Sequence, residues 1–299
     1  MNKTEMARVT DMLRHRRKAR SRTEDAFISK YLDSIPGMYA DDFGNRILPH
    51  TGAKVMISAH TDSVSRLDGM QSVSVSHGGI VSLAKGERLS NCLGADDAAG
   101  IYIALRMIEA NVPATFVFHR DEETGGNGSM WLAKSYPKWL ESFDICLALD
   151  RRGTKDIIVS QSWAGCASDT FAESLAAQLG MGHKAADGIF TDSANYTDFI
   201  AECSNISVGY QNEHNVCETL DLGYLERVTQ ALIAVDWGAV SVERKPGEYV
   251  PMWPAPRKFD RFDGRQFLLD GDETSAGDEL EAKWLAEELE YSRRVRYHM

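Results

Sequence analysis

Strand-length apolar runs alternate with segments of helical spacing along most of this chain, and that alternation restricts the fold more than any other feature. "KVMISA", "ATFVFH", "DICLALD" and "NISVGY" are the strand-like runs. Helical spacing of apolar residues appears from Asp97 to about Asn111, near Asp169–Leu179 and over Leu222–Val240. Ser21 followed by Glu24 in "SRTEDAFISKYL" forms a capping box that opens a helix running to about Leu32. "DDFGNRIL" reads as a turn and a short strand, and "QSVSVSHGGIVSL" alternates at period two around Gly78-Gly79, as a hairpin does. Together these predict an α/β fold, a three-layer αβα sandwich around a mixed, mostly parallel sheet.

The last part of the chain differs in character. Pro246, Pro251, Pro254 and Pro256 crowd into "KPGEYVPMWPAP", through which no regular element can run. A charged helix with a stripe of Leu280, Trp284, Leu285 and Leu289 is expected to close the chain and to dock on the domain or on another subunit. The expected organisation is therefore a catalytic domain over residues 1–243, with an N-terminal helix within 1–35, and a Pro-rich and helical extension over 244–299.

Composition excludes several functions. The chain has 299 residues, 43% hydrophobic, enough for one large domain or two small ones. No apolar stretch is long enough to span a bilayer, and the N-terminus lacks the apolar core of a signal peptide, so a cytoplasmic protein with no membrane partner is expected. Five scattered cysteines with no C-x-x-C pair fit reduced thiols and no zinc ribbon. A net charge of -11 opposes nucleic-acid binding. The basic run "RHRRKARSR", Arg14 to Arg22, is read as the solvated face of an N-terminal helix, with a docking patch for an acidic partner as the lesser reading. There is neither a G-x-S-x-G elbow nor a phosphate-binding P-loop. His15, His77, His119, His183 and His298 carry no motif and are read as structural or surface residues.

The chemistry is concentrated where strands are expected to end. "AHTD" sets His60 and Asp62 two apart after the first apolar run, and "GADD" puts Asp96 and Asp97 just before a helix. "HRDEETGG" places Asp121, Glu122 and Glu123 between a strand and a glycine-rich loop; "LALD" ends a strand at Asp150, and His214 follows "NISVGY". In doubly wound sheets ligands bind beyond the carboxyl ends of the strands, where these residues would converge. So many carboxylates could not all stay ionised while dehydrated unless cations were bound. Two histidines with several carboxylates suit zinc, or cobalt or manganese.

The order "HTD", "GADD", "DEETG", "LALD" and a late histidine resembles the co-catalytic di-zinc exopeptidases, which include bacterial aminopeptidases, the tripeptidase T group and the carboxypeptidase G-type enzymes. The resemblance covers roughly residues 21 to 240. It implies that His60 and Asp150 bind one metal, that Glu123 and His214 bind the second, and that Asp96 bridges both. It implies that Asp62 orients His60 through its other ring nitrogen, and that Glu122 is the general base acting on a water held between two zinc ions. Glu122 and Glu123 are expected to divide these duties because they follow a strand, where neighbouring side chains point opposite ways.

Residues 151 to 213, 63 in all, are too few for the lid domain that several relatives insert there. That favours the aminopeptidase branch, acting on a small peptide or amide, and leaves room for a homo-oligomer. Arg151 and Arg152 are candidate substrate clamps, with salt-bridged surface arginines as the alternative. "FTDSANYTDF" makes Asp192 and Tyr196 weaker substrate-side candidates; Tyr196 could donate to an oxyanion or sit in the core. Two other functions stay open: an amidohydrolase that deacylates N-acyl amino acids, and a non-catalytic metal-binding scaffold. Glu122 opposes the last, because a pure binder needs no base that is not a ligand.

Overall fold

The computed structural model describes residues 1–162 and 164–247. The expected closing helix with its Leu280–Leu289 stripe, and His298, lie outside the described residues.

The helices are α1 (Lys3–Met12), α2 (Arg22–Tyr31), α3 (Ala95–Glu109), α4 (Asn127–Ser135), α5 (Pro137–Leu140), α6 (Asp169–Leu179) and α7 (Leu222–Ile233). The strands are β1 (Tyr39–Ala40), β2 (Arg46–Leu48), β3 (Val55–His60), β4 (Val73–Val75), β5 (Ile80–Leu83), β6 (Thr115–His119) and β7 (Ile145–Arg151). They continue as β8 (Asp156–Gln161), β9 (Ala164–Gly165), β10 (Lys184–Gly188), β11 (Glu202–Ser207), β12 (Tyr210–Gln211) and β13 (Thr219–Asp221). The main sheet runs β1-β2-β6-β3-β7-β11-β8-β10, with β9 paired to β8, and a small sheet runs β12-β13-β5-β4.

Strands β6, β3, β7 and β11 are parallel neighbours, whereas β2 joins β6, and β8 joins β11, in the antiparallel sense. Their residues alternate between two apolar layers. Val55, Ile57, Phe116, Phe118, Ile145 and Leu147 pack with α3, α6 and α7. Met56, Val117 and Cys146 face the opposite way, toward Leu132 of α4 and Leu140 of α5. Strands buried on both faces are what a covered parallel sheet requires. The result is the α/β arrangement expected, a mixed and mostly parallel sheet between helical layers. Residues 151–213 contribute to the main sheet and its flanking elements and hold no inserted domain among the described residues.

The capping box is present in part. Ser21 Oγ accepts from Glu24 N–H at 3.2 Å, but the Glu24 carboxylate reaches Arg20 N–H at 2.6 Å. The expected helix to Val240 is shorter: α7 ends at Ile233 and a 3₁₀ turn follows over Trp237–Ala239, capped by Asp236. The basic run is a correction. It is no solvated helix face, because α1 ends at Met12 and His15, Arg16 and Arg17 are buried between α1 and α2. Arg17 is fully buried and donates to the carbonyls of Thr61 at 2.8 Å and Gly94 at 2.9 Å. Helix α4 and strands β8 and β10 have no counterpart in the sequence reading; β10 is a half-exposed edge strand, "KAADG", with little apolar signal. Helix α3 presses so close to β7 that a Cβ on Gly100 would sit 2.1 Å from Leu149 O.

Candidate metal centre

The parallel register fixes where the site must lie. His60 closes β3 directly opposite His119 at the end of β6, and Asp150 lies near the end of β7. Their carboxyl ends therefore share one edge of the sheet. Asp96 enters this edge from the first turn of α3, where Asp96 and Asp97 depart from helical geometry and are joined by a cis peptide. His214 arrives from the loop after β12, with a left-handed φ of 61°.

The carboxylate of Asp96 stands between the two imidazoles. Its Oδ1 is 2.9 Å from His60 Nε2 and its Oδ2 is 3.1 Å from His214 Nε2. Asp150 Oδ1 lies 3.4 Å from His60 Nε2, and Glu123 Oε2 lies 3.1 Å from His214 Nε2. The five residues thus form two trios that share Asp96. Asp150 is steadied by Thr191 Oγ1 at 2.7 Å and Tyr210 Oη at 3.1 Å, both donating to its carboxylate.

Among the described residues the groupings whose donor atoms come within reach of a common ion are His60 with Asp97 and Asp150, and His60 with Asp96 and Glu123. Asp97 is the weaker candidate. Its oxygens already accept from the His60 N–H at 3.1 Å and the Gly100 N–H at 2.8 Å, which makes it a tie between β3 and α3.

Asp62 is fully buried and accepts from two backbone donors, Glu122 N–H and Glu123 N–H, each at 3.2 Å. The same carboxylate is 3.4 Å from His60 Nδ1, although that nitrogen completes no hydrogen bond. The loop carrying the two glutamates is thereby pinned to the strand carrying His60. The reason expected for their divided roles is corrected here. Glu122 and Glu123 lie past the end of β6 in a tight turn, so strand alternation does not separate them. The turn does: Asp121 has a left-handed φ of 62° and pairs with Arg20 at 2.8 Å, and Glu122 O accepts from Gly125 and Gly126. Glu123 meets His214, while Glu122 pairs with neither imidazole and lines the open cleft.

Electrostatics match a site short of positive charge. Burial lifts Glu122 well above the ordinary carboxylate range, and Asp150, Asp192 and Glu123 add to it. Burial and the Asp96 charge push Asp150 up to about 7. Hydrogen bonds donated to the Asp96 and Glu123 carboxylates push His214 up to about 11. Burial pulls His60 down, but Asp150, Asp62 and Asp96 outweigh it and hold the ring well above its usual value. Glu123 Oε1 is buried without a hydrogen-bond partner. An orphaned carboxylate oxygen beside two imidazole nitrogens and two further carboxylates is a donor set that fits divalent zinc, cobalt or manganese.

The remaining candidates divide. Arg151 and Arg152 line the cleft, but Arg151 is paired with Asp156 at 3.0 Å and Arg152 with Glu213 at 2.8 Å. Asp192 and Tyr196 lie apart from the cleft. Asp192 is buried 3.0 Å from His119 Nδ1, and Tyr196 Oη is 2.6 Å from His119 Nε2. The sequence reading passed over Glu218, whose buried carboxylate accepts from the backbone of residues 93–96. It also passed over Tyr210 and Thr191. None sits in a motif; Glu218 follows His214 by four residues, but that spacing is no signal by itself.

In solved structures the fold recurs. The aminopeptidase PepT of Bacillus cereus is 15% identical with a TM-score of 0.62, over 78% of this chain and 98% of that one. A tripeptidase of Staphylococcus aureus is 13% identical with a TM-score of 0.62, over 78% and 97%. The TET1 peptidase of Pyrococcus horikoshii, described as assembling into a tetrahedron or a large octahedral shell, is 16% identical with a TM-score of 0.56, over 77% and 98%. No curated protein matches the chain in sequence. The family model of peptidase family M28 matches residues 45–202, more than half of the chain and the stretch that carries His60, Asp62, Asp96, Glu122, Glu123 and Asp150. The chain belongs to peptidase family M28.

Proposed function

We propose that this protein is a metal-dependent exopeptidase of the aminopeptidase type, holding two divalent ions, most simply zinc. The observation that carries the reading is the Asp96 carboxylate, with one oxygen toward His60 and the other toward His214. His60 and Asp150 would complete one ion's ligands, and Glu123 and His214 the other's. Bound there, such ions supply Lewis acidity for the scissile carbonyl and lower the pKa of an attacking water toward neutrality.

The chain's own residues do the rest. Glu122 projects into the cleft with no imidazole partner, and burial raises its proton affinity. It takes the proton of the attacking water and delivers it to the departing amine. Asp62 keeps Glu122 and Glu123 in register with His60 through the two backbone N–H groups it accepts. Ile158, Ile189 and Phe190 give one wall of the cleft an apolar lining suited to a side chain of a small peptide. The likeness to TET1 supports a homo-oligomer as the working assembly. A panel of free-amine peptides and N-acylated amino acids, assayed with zinc, cobalt or manganese, tests the reading. Turnover of free-amine peptides is expected; turnover of N-acyl amino acids alone would make the protein a deacylase, and none at all a scaffold.

A further inference from the structure

We propose that Glu218 is a positioning residue for the candidate metal centre: its buried carboxylate fixes the turn that presents Asp96, and Arg17 holds the same turn from its carbonyl side. This rests on the di-metal reading and adds to it two residues that touch no proposed ligand side chain. Glu218 is 1% exposed and accepts from four consecutive backbone N–H groups. Oε2 takes Leu93 at 2.8 Å and Gly94 at 3.0 Å, and Oε1 takes Ala95 at 2.7 Å and Asp96 at 3.1 Å. These groups lead into α3, whose N-cap, Gly94, has no side chain to cap with and is left-handed at φ 73°. Donors at a helix start need partners, and here they come from a residue 122 positions away. Arg17 donates to Gly94 O at 2.9 Å and to Thr61 O at 2.8 Å, so one guanidinium joins the Asp96 turn to the loop between His60 and Asp62.

The consequence is geometric. Asp96 is shared by both trios, so a small shift of its backbone moves one oxygen away from each proposed ion. Glu218 also follows His214 by four residues, which ties the loop of the second histidine to the turn of the shared carboxylate.

Cobalt titration reads the idea out, because Co2+ affinity can be measured and its visible spectrum reports coordination geometry. Glu218→Gln replaces one acceptor oxygen by a donor that two N–H groups would oppose. Cobalt binding is expected to weaken ~10–100-fold, the range for residues that hold ligands in place, with an altered spectrum at saturation. Glu202→Gln is the matched control. Glu202 is another buried carboxylate that accepts backbone N–H groups, from Ser168, Glu243 and Arg244, away from the metal centre. Its variant should lose thermal stability and keep wild-type cobalt affinity and spectrum. Equal weakening in both variants would reduce Glu218 to a structural residue and overturn the positioning role. So would unchanged binding in Glu218→Gln alongside a wild type that binds cobalt. Failure of the wild type to bind cobalt would instead overturn the di-metal reading, and this one with it. If Glu218→Gln does not fold, Arg17→Lys addresses the same turn with charge retained. Weaker cobalt binding is expected there as well, and wild-type binding would overturn the role.

Discussion

Two histidines end neighbouring strands in register, and only one of them meets carboxylates that line an open cleft. His60 and His119 are directly paired across β3 and β6, both are buried, and both have carboxylates within 3.4 Å. His119 sits in a closed set: Asp192 at Nδ1, Tyr196 Oη at Nε2, and the hydroxyl of Ser129 on the other Asp192 oxygen. His60 has Asp62 on one side and, on the other, Asp96 and Asp150 at a cleft that also receives Glu122, Glu123 and His214. An imidazole beside a carboxylate is therefore not in itself a site. What separates the two is the number of carboxylates: Asp192 alone meets His119, whereas Asp62, Asp96 and Asp150 all lie within 3.4 Å of His60 and leave a surplus of negative charge there.

The sharpest way to break this contrast is through the surplus carboxylates. Glu122→Gln keeps the shape but cannot accept a proton, so turnover should fall ~10²–10⁴-fold with metal content unchanged. Glu123→Gln should lower both. Kinetics and metal analysis on the pair decide it, and metal loss from Glu122→Gln alone would reverse the two assignments. Next comes the histidine pair itself. His60→Ala should reduce the ions bound per chain, whereas His119→Ala should keep them and lose roughly 1–3 kcal/mol of stability, since one oxygen of the buried Asp192 loses the imidazole while Ser129 keeps the other. Ion loss from His119→Ala would place the closed network inside the site.

Smaller effects sharpen the boundary. Tyr196→Phe removes the hydroxyl from His119 and should cost ~1–3 kcal/mol in denaturant unfolding while kcat stays within a factor of about two of wild type. A catalytic fall of 10²-fold or more, the order expected on losing an oxyanion donor, would return Tyr196 to the substrate side. His183, remote from both sets, gives the pH comparison. Burial holds its pKa below 6.5, with Lys155 adding to the effect, and its Nε2 meets Tyr224 Oη at 2.8 Å. The unfolded chain therefore takes up a proton first as the pH falls. Its stabilising contribution is complete above pH 6.5 and is lost as the pH drops through the lowered value, with a slope of at most ~1.4 kcal/mol per pH unit. His183→Asn should flatten the pH dependence of stability in that range and leave the slope near pH 8 unchanged. The least effect is expected from removing the residues after 247. Arg244, one residue beyond the boundary expected from the sequence, is buried and donates to the carbonyls of Thr197, Ile200 and Ala201. We therefore place the end of the catalytic unit beyond it, and a chain of residues 1–247 should keep its metal content; loss of metal would make the tail part of the site.

Much of this was legible because it is written locally. Period-two and helical spacing, the strand-end positions of His60, Asp96, Glu123 and Asp150, and the missing room for an inserted lid are properties of short windows and of counts along the chain. They determined the α/β class and the residues that meet at the sheet edge. Only the tertiary structure decided that Arg17 is a core residue and not a surface charge, and that Glu218 caps the start of α3. Those outcomes depend on backbone N–H and C=O groups, which every residue but proline carries and which leave no mark in the letters. Glu218 meets residues 93–96 across 122 to 125 positions through four such groups, so the contact exists only once the sheet has brought the two segments together.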